Sequence, residues 1–265
     1  MKKVLSLILA IAMLFAVCAL VGCGKKADDA TSSVDNVPKF TTVTAGKLTM
    51  ATNAYFQPYE FYQGDKIVGI DAEIAEKIAA KLGLELVISD MAFDSIITAV
   101  DQGSADFGLA GMTVTEKRLE QVDFSISYAK GVQSIIVKEG SKITSYDDLA
   151  ADGATYKIGV QLGTTGDIYA SGEFGDRVNS FTTGNEAVNA LIGGDVDCVI
   201  IDNEPAKAFV KNNTGLKILE TSYADEDYAA CIKKGNTELK KAIDNAIVEL
   251  IADGTIKAIV DKYIK

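Results

Sequence analysis

Two side chains far apart in the chain could hold the two ends of a zwitterion. Arg118 sits in Gly111-Met112-Thr113-Val114-Thr115-Glu116-Lys117-Arg118, directly after an apolar run, where Thr115 can N-cap a short helix. A cation gains nothing from the dipole in the first turn of a helix, so an arginine there needs another reason. An incoming carboxylate, gripped in two parallel bonds by the planar guanidinium, supplies one. A surface pairing with Glu116, Glu120 or Asp123 is the competing explanation. Asp202 closes the apolar run Cys198-Val199-Ile200-Ile201 and precedes Glu204-Pro205. It can cap the next helix, or Asn203 can take that role and leave Asp202 facing an ammonium.

Further candidates surround these two. Gly159-Val160-Gln161-Leu162-Gly163-Thr164-Thr165-Gly166 is a second glycine- and threonine-rich junction, whose hydroxyls and free N–H groups suit a small anion. It lacks the lysine of a phosphate loop and the spacing of a dinucleotide fingerprint. Asn53, Phe56 and Phe93 follow strand-like runs, where aromatic rings can enclose a ligand's carbon skeleton, while Tyr59 and Phe61 read as core. The chain has no histidine, which removes Ser-His and Cys-His nucleophile pairs, imidazole acid–base chemistry and zinc–histidine sites together. No metal ligand set and no cofactor motif is found.

The elements that must position these residues read as α/β. From about Ala45, short apolar runs alternate with helical periodicity, which predicts mainly parallel strands. Lys47 to Thr52, Leu84 to Ile88, Asp106 to Ala110, Lys157 to Gln161 and Cys198 to Ile201 are the expected strands. Asp71 can cap a helix whose apolar face is Ile74, Ile78 and Leu82 and which ends at Gly83. Helix, Gly103-Ser104-Ala105-Asp106 and strand find an echo in helix, Gly194-Asp195-Val196-Asp197 and strand. In open α/β sheets ligands bind at the carboxyl ends of strands, which marks Ala110 to Thr113 and Asp202 as site positions.

The N-terminus sets the compartment. Met1-Lys2-Lys3, an apolar run and Leu20-Val21-Gly22-Cys23 form a signal segment, and this ending resembles a bacterial lipobox, cleaved before Cys23 and lipidated on its thiol. Residues 1–22 are then the signal peptide and 23–44 the lipidated cysteine with a disordered tether. Cys198 and Cys231 remain as buried small hydrophobes. Hydrophobic residues at 48% argue for a substantial core, and a net charge of −11, becoming −13 once Lys2 and Lys3 leave with the signal, opposes nucleic-acid binding.

Taken in order, Ala51-Thr52-Asn53, Pro58-Tyr59-Glu60-Phe61, Val68-Gly69-Ile70-Asp71, Ala110 to Arg118, Val122-Asp123-Phe124-Ser125, Leu162-Gly163-Thr164-Thr165 and Asp253-Gly254-Thr255 resemble the family 3 solute-binding proteins of ABC importers for polar amino acids. The resemblance implies a two-lobed periplasmic-binding-protein fold of type II, two open α/β sheets joined by two hinge strands. Lobe 1 would comprise residues 45–131 plus 224–265 and lobe 2 residues 132–223, with crossings near Gly131 and Tyr223. It further implies that Arg118 holds the ligand α-carboxylate with help from Gly111, Thr113, Thr164 and Thr165. Asp202 would receive the ammonium with a carbonyl near Ala110, and Phe56 and Phe93 would be walls.

The implied protein is a monomeric, membrane-tethered lipoprotein outside the cytoplasm that needs no cofactor, binds a free L-amino acid and meets an ABC permease. Asn53 stands where basic amino acid binders place an aspartate, and Gln161 and Ile201 stand where glutamine binders carry a lysine and a histidine. A neutral polar side chain is therefore the preferred ligand, with a basic amino acid or cystine open if Glu60 or Asp71 approaches the pocket. The rival function is a cyclohexadienyl dehydratase-like enzyme on the same fold. It is disfavoured because the carboxylates already have binding or capping roles and because a lipid tether suits capture beside a transporter.

Overall fold

The computed structural model describes residues 40–219 and 223–264. The signal segment, Cys23 and the tether as far as residue 39 lie outside the described residues. Residues 40–44, expected to be disordered tether, are ordered. Phe40 packs on the main apolar cluster, and the Val43 N–H donates to the Asp106 carboxylate at 2.7 Å.

The first part of the chain forms β1 (Lys47–Thr52), β2 (Tyr55–Phe56), β3 (Glu60–Gln63), β4 (Lys66–Val68), α1 (Ile70–Leu82), β5 (Glu85–Asp90), α2 (Ile96–Asp101), β6 (Phe107–Gly108), α3 (Glu116–Leu119) and the long β7 (Val122–Lys138). There follow α4 (Tyr146–Ala150), β8 (Ile158–Gln161), α5 (Thr165–Phe174), β9 (Val178–Phe181), α6 (Gly184–Gly193), β10 (Cys198–Asp202), α7 (Asn203–Asn212) and β11 (Leu216–Ile218). β12 (Ala224–Lys233), α8 (Thr237–Ala252) and α9 (Thr255–Tyr263) complete the described chain.

Helix α1 buries Ile70, Ile74 and Ile78 on one face and stops at Gly83, whose φ of 69° is the left-handed conformation that glycine adopts without strain. Its cap corrects the sequence expectation. Gly69 occupies the N-cap position, and Asp71 lies inside the first turn, fully buried, accepting from the Gly111 N–H and the Tyr128 hydroxyl. The third expected strand is also shorter than its apolar run, because pairing is confined to Phe107–Gly108 before the chain turns toward Gly111.

The sheet is mixed. β1 pairs in parallel with β5 and β6, and β8 pairs in parallel with β9 and β10, as alternating strands and helices dictate. The centre is antiparallel. β12 lies between β6 and β7, and β7 runs on to pair with β10 and β11, so nine strands form one continuous, curled sheet. Gln133 of β7 stands opposite both Ala224 of β12 and Asp202 of β10, the point where β7 changes partners. On either side of that point lie separate apolar clusters, one around Ile74, Phe107 and Ile247, another around Ile135, Val160 and Ile200. This is the two-lobed type II architecture. Cys198 and Cys231 are buried and unpaired within β10 and β12.

Gly131 lies in β7 just before the point where β7 changes partners. A Cβ there would lie 2.3 Å from the Tyr228 ring, so any side chain must displace the tyrosine. Gly172, in the middle of α5, has open space instead. Gly131→Ala should therefore cost about 1–3 kcal/mol by overpacking. Gly172→Ala should stabilise by about 0.5–1 kcal/mol through helix propensity. Urea denaturation midpoints that shift in opposite directions check the pair; a neutral Gly131→Ala contradicts the packing.

Candidate functional site

The elements deliver their ends to one place. Asn53 follows β1, Phe56 lies in β2, Phe93 precedes α2, and Ala110, Gly111 and Thr113 follow β6. Arg118 is in α3, Gln161 ends β8, Thr164 and Thr165 open α5, and Asp202 ends β10. All eleven line a single narrow cavity, joined there by Glu60, Gln133, Ile201, Glu226 and Tyr228. Asp71 is one layer behind that wall, touching it through Gly111.

Arg118 dominates the electrostatics. Thr115 caps α3 and accepts from the Arg118 N–H at 3.2 Å, which fixes the backbone of the arginine. Its guanidinium donates to the Thr113 carbonyl at 2.6 Å and, across the cleft, to the Gly163 carbonyl at 3.0 Å, and it lies 5.4 Å from the centre of the Phe93 ring. The residue is only 5% exposed, and among the described residues no carboxylate is within ion-pair distance. The expected alternative partners Glu116, Glu120 and Asp123 do not pair with it. Burial pulls its pKa down, partly opposed by the charge of Glu226. Such a cation favours an anion that enters the cavity.

Asp202 is both cap and cavity wall. Its Oδ1 accepts from the Glu204 N–H at 3.0 Å, so Asp202, not Asn203, caps α7. Its Oδ2 accepts from the Val132 N–H at 3.1 Å and the Tyr228 hydroxyl at 2.7 Å. The capping role does not remove it from the cavity, because a carboxylate offers about four lone-pair directions. Burial pushes its pKa up to about 6 against these three hydrogen bonds.

Other expected roles change with the geometry. The Gly111 N–H, expected as a donor to a ligand, is already bound to Asp71 at 2.7 Å. Gly111 has a φ of 53°, and a Cβ would meet the Phe56 ring at 2.8 Å, so this glycine serves close packing of the aromatic wall. Thr164 caps α5 by accepting from the Asp167 N–H, which orients the free N–H groups of the first turn at Thr165 and Gly166. Asn53 and Gln161 bond to each other across the cleft, Nε2 to Oδ1, at 3.0 Å.

Sequence reasoning missed Gln133 and Glu226. Gln133 donates to Glu226 at 3.0 Å, leaving one oxygen of each buried with no donor. From Asp225 to Tyr228 burial alternates in β12, placing Glu226 on the same inward face as Tyr228, but the run of three acids in the sequence carries no such alternation. The cavity thus holds three carboxyl groups, Glu60, Asp202 and Glu226, and one guanidinium. The preference for a neutral side chain rests on Asn53, Gln161 and Ile201 without Glu226, whose carboxyl adds to the acidic side of the cavity.

The match to bacterial extracellular solute-binding proteins, family 3, covers residues 48–265. The chain belongs to this family. It is 32% identical to the arginine-binding extracellular protein ArtP of Bacillus subtilis over 99% of this chain and 98% of the relative. It is 30% identical to the glutamine-binding protein GlnH of the same organism, over 100% and 98%. An ancestral arginine-binding protein, solved with arginine and with glutamine, superposes with a TM-score of 0.78 at 39% identity, covering 83% of this chain and 99% of that one. The family member is thus an amino acid-binding component of transport. None of its described helices is long and apolar enough to cross a membrane.

The buried acids give this family member a particular pH response. Asp71 and Asp202, both raised by burial to about 6, bind protons more tightly folded than unfolded. Their stabilising contribution is full below the unfolded pKa near 4 and is lost as pH rises through about 6. Acids held low by partners, such as Asp148 and Asp253, lose stability only below that window. The melting temperature of the ligand-free protein should therefore rise between about pH 7 and pH 5, less steeply in Asp202→Asn. A fall over this window in calorimetric scans contradicts the assignment.

Proposed function

We propose that the chain is an extracytoplasmic lipoprotein, anchored through Cys23, that captures a free L-amino acid with a cationic side chain and delivers it to an ABC permease. It acts as a monomer and without catalysis. Arg118 takes the α-carboxylate, Asp202 the α-ammonium, and Phe56 and Phe93 the carbon skeleton. The observation that carries the reading is the charge balance of one cavity: a buried guanidinium with no acid partner among the described residues, and more carboxyls than an α-ammonium can satisfy. The unfilled acceptors of Gln133 and Glu226 favour a side-chain guanidinium or ammonium. A neutral amide side chain is the second reading, favoured by the Asn53–Gln161 pair, whose amides an amide ligand could match.

In this reading residues 45–131 plus 224–265 form one lobe and 132–223 the other, closing about β7 and β12. The Arg118–Gly163 and Asn53–Gln161 bonds support such closure, since each joins residues assigned to opposite lobes.

A thermal-shift screen of the proteinogenic amino acids, ornithine and cystine tests the ligand class. At a hundredfold excess over Kd a true ligand stabilises by about 2.7 kcal/mol. L-arginine or L-lysine should give the largest shift, and a response confined to glutamine would favour the second reading. Arg118→Ala should fold and lose about 2–5 kcal/mol of binding, with Arg118→Lys also weak because a point charge cannot reproduce the fork. Either variant binding within threefold of wild type by calorimetry would sink the carboxylate assignment. Cys23→Ser should leave affinity unchanged while moving the protein from the membrane to the soluble fraction, since two acyl chains give stable anchoring.

A further inference from the structure

Glu60 is the least expected group in the cavity wall. It stands opposite Phe56 across β2 and β3, so both side chains lie on one face of that ribbon, toward the cavity. It is fully buried, and neither carboxyl oxygen has a donor. Asp71 of α1 is the acid that acts on it most strongly. The Asp71 Oδ2 accepts from the Gly111 N–H and the Tyr128 hydroxyl, both at 2.7 Å, while its Oδ1 has no donor. Two ionised carboxylates so placed would repel each other in a dry environment. One proton shared between them would serve two of the three unfilled oxygens, one on each residue.

No cation does this work in the described residues. Among them, no lysine or arginine pairs with Glu60 or Asp71. The other titratable groups facing the pair are acids or phenols: Asp90 of β5, Tyr59 beside Glu60, and Tyr128 of β7. Asp90 accepts from the Ala54 N–H and the Tyr62 hydroxyl. On the cavity side stand Arg118, Asp202, Glu226 and Tyr228.

We propose that Glu60 and Asp71 form an acid pair holding one proton in the ligand-free cavity, and that the side-chain cation of a bound amino acid replaces it. The proposal rests on the cationic reading above. The Glu60 O–H bond breaks, its proton passes to solvent buffer, and the carboxylate left behind pairs with the ligand's cation. Burial and the neighbouring Asp71 keep Glu60 protonated well above the ordinary carboxylate range, consistent with this exchange. Glu60 then discriminates between side chains: a cation compensates its ionisation and a neutral side chain does not.

Infrared spectroscopy at about pH 8, where ordinary carboxylic acids are ionised, reads the proton directly. Ligand-free wild type should show a protonated carboxyl band that is absent in Glu60→Gln, whose amide mimics the neutral acid and preserves the fold. Asp71→Asn, which presents an amide to Glu60, should abolish the band as well. Saturation with L-arginine should remove it from wild type, and calorimetry in buffers of different ionisation enthalpy should find about one proton released per ligand, lost in Glu60→Gln. A band missing from ligand-free wild type, or unchanged in Glu60→Gln, overturns the pair. A band that persists with L-arginine bound overturns the exchange alone. Failure of both L-arginine and L-lysine to shift the melting temperature overturns the cationic reading and the exchange with it, while the band of the ligand-free protein still decides the pair.

Discussion

A guanidinium buried with no acid paired to it among the described residues is the constraint around which the cavity is arranged. Arg118 gives hydrogen bonds to two carbonyls, which orient it but leave its charge uncompensated. Desolvating a cation costs several kcal/mol, and carbonyl dipoles return only part of that. The fold sustains this cost because it holds the arginine rigidly: Thr115 caps the four-residue α3, and the Phe93 ring lies beside the guanidinium. In the proposed reading, a ligand carboxylate meets a preorganised fork and adds the missing charge, which turns a destabilised site into affinity.

The opposite end of the cavity is built by a different device. Asp202 finishes β10 and caps α7, so three donors fix its direction while burial makes its charge expensive. Tyr228 reaches it from β12 and needs Gly131 of β7 to make room. The same two strands carry Gln133 and Glu226, which extend the acidic side of the cavity. In the proposed reading, charge recognition and the two central strands β7 and β12 are therefore one piece of structure. A change at Gly131 should be felt at Asp202 without touching the ligand.

The residues legible in the sequence were those at chain junctions. Arg118, Asp202, Thr164 and Thr165 follow apolar runs, and capping chemistry marks such positions locally. The aromatic walls and the helix stop at Gly83 were legible for similar reasons. What escaped depends on partners distant in sequence. Gly111 reads as a free donor until α1 brings Asp71 against it, and Asp71 reads as a cap until the Gly69 turn places it inside the helix. Glu226 and Gln133 sit in strands, where only the pairing of β7 with β12 turns both toward one cavity. A polar residue in an alternating strand does not announce its neighbours.

The central claim is that Arg118 is held in reserve for a ligand carboxylate. L-arginine and agmatine differ by that group alone, so calorimetric titration of the wild-type protein with both isolates it. The account predicts that agmatine binds on the order of a hundredfold or more weaker, and that Arg118→Ala, having lost the fork, binds the two about equally. Wild-type protein that holds agmatine as tightly as L-arginine would contradict it.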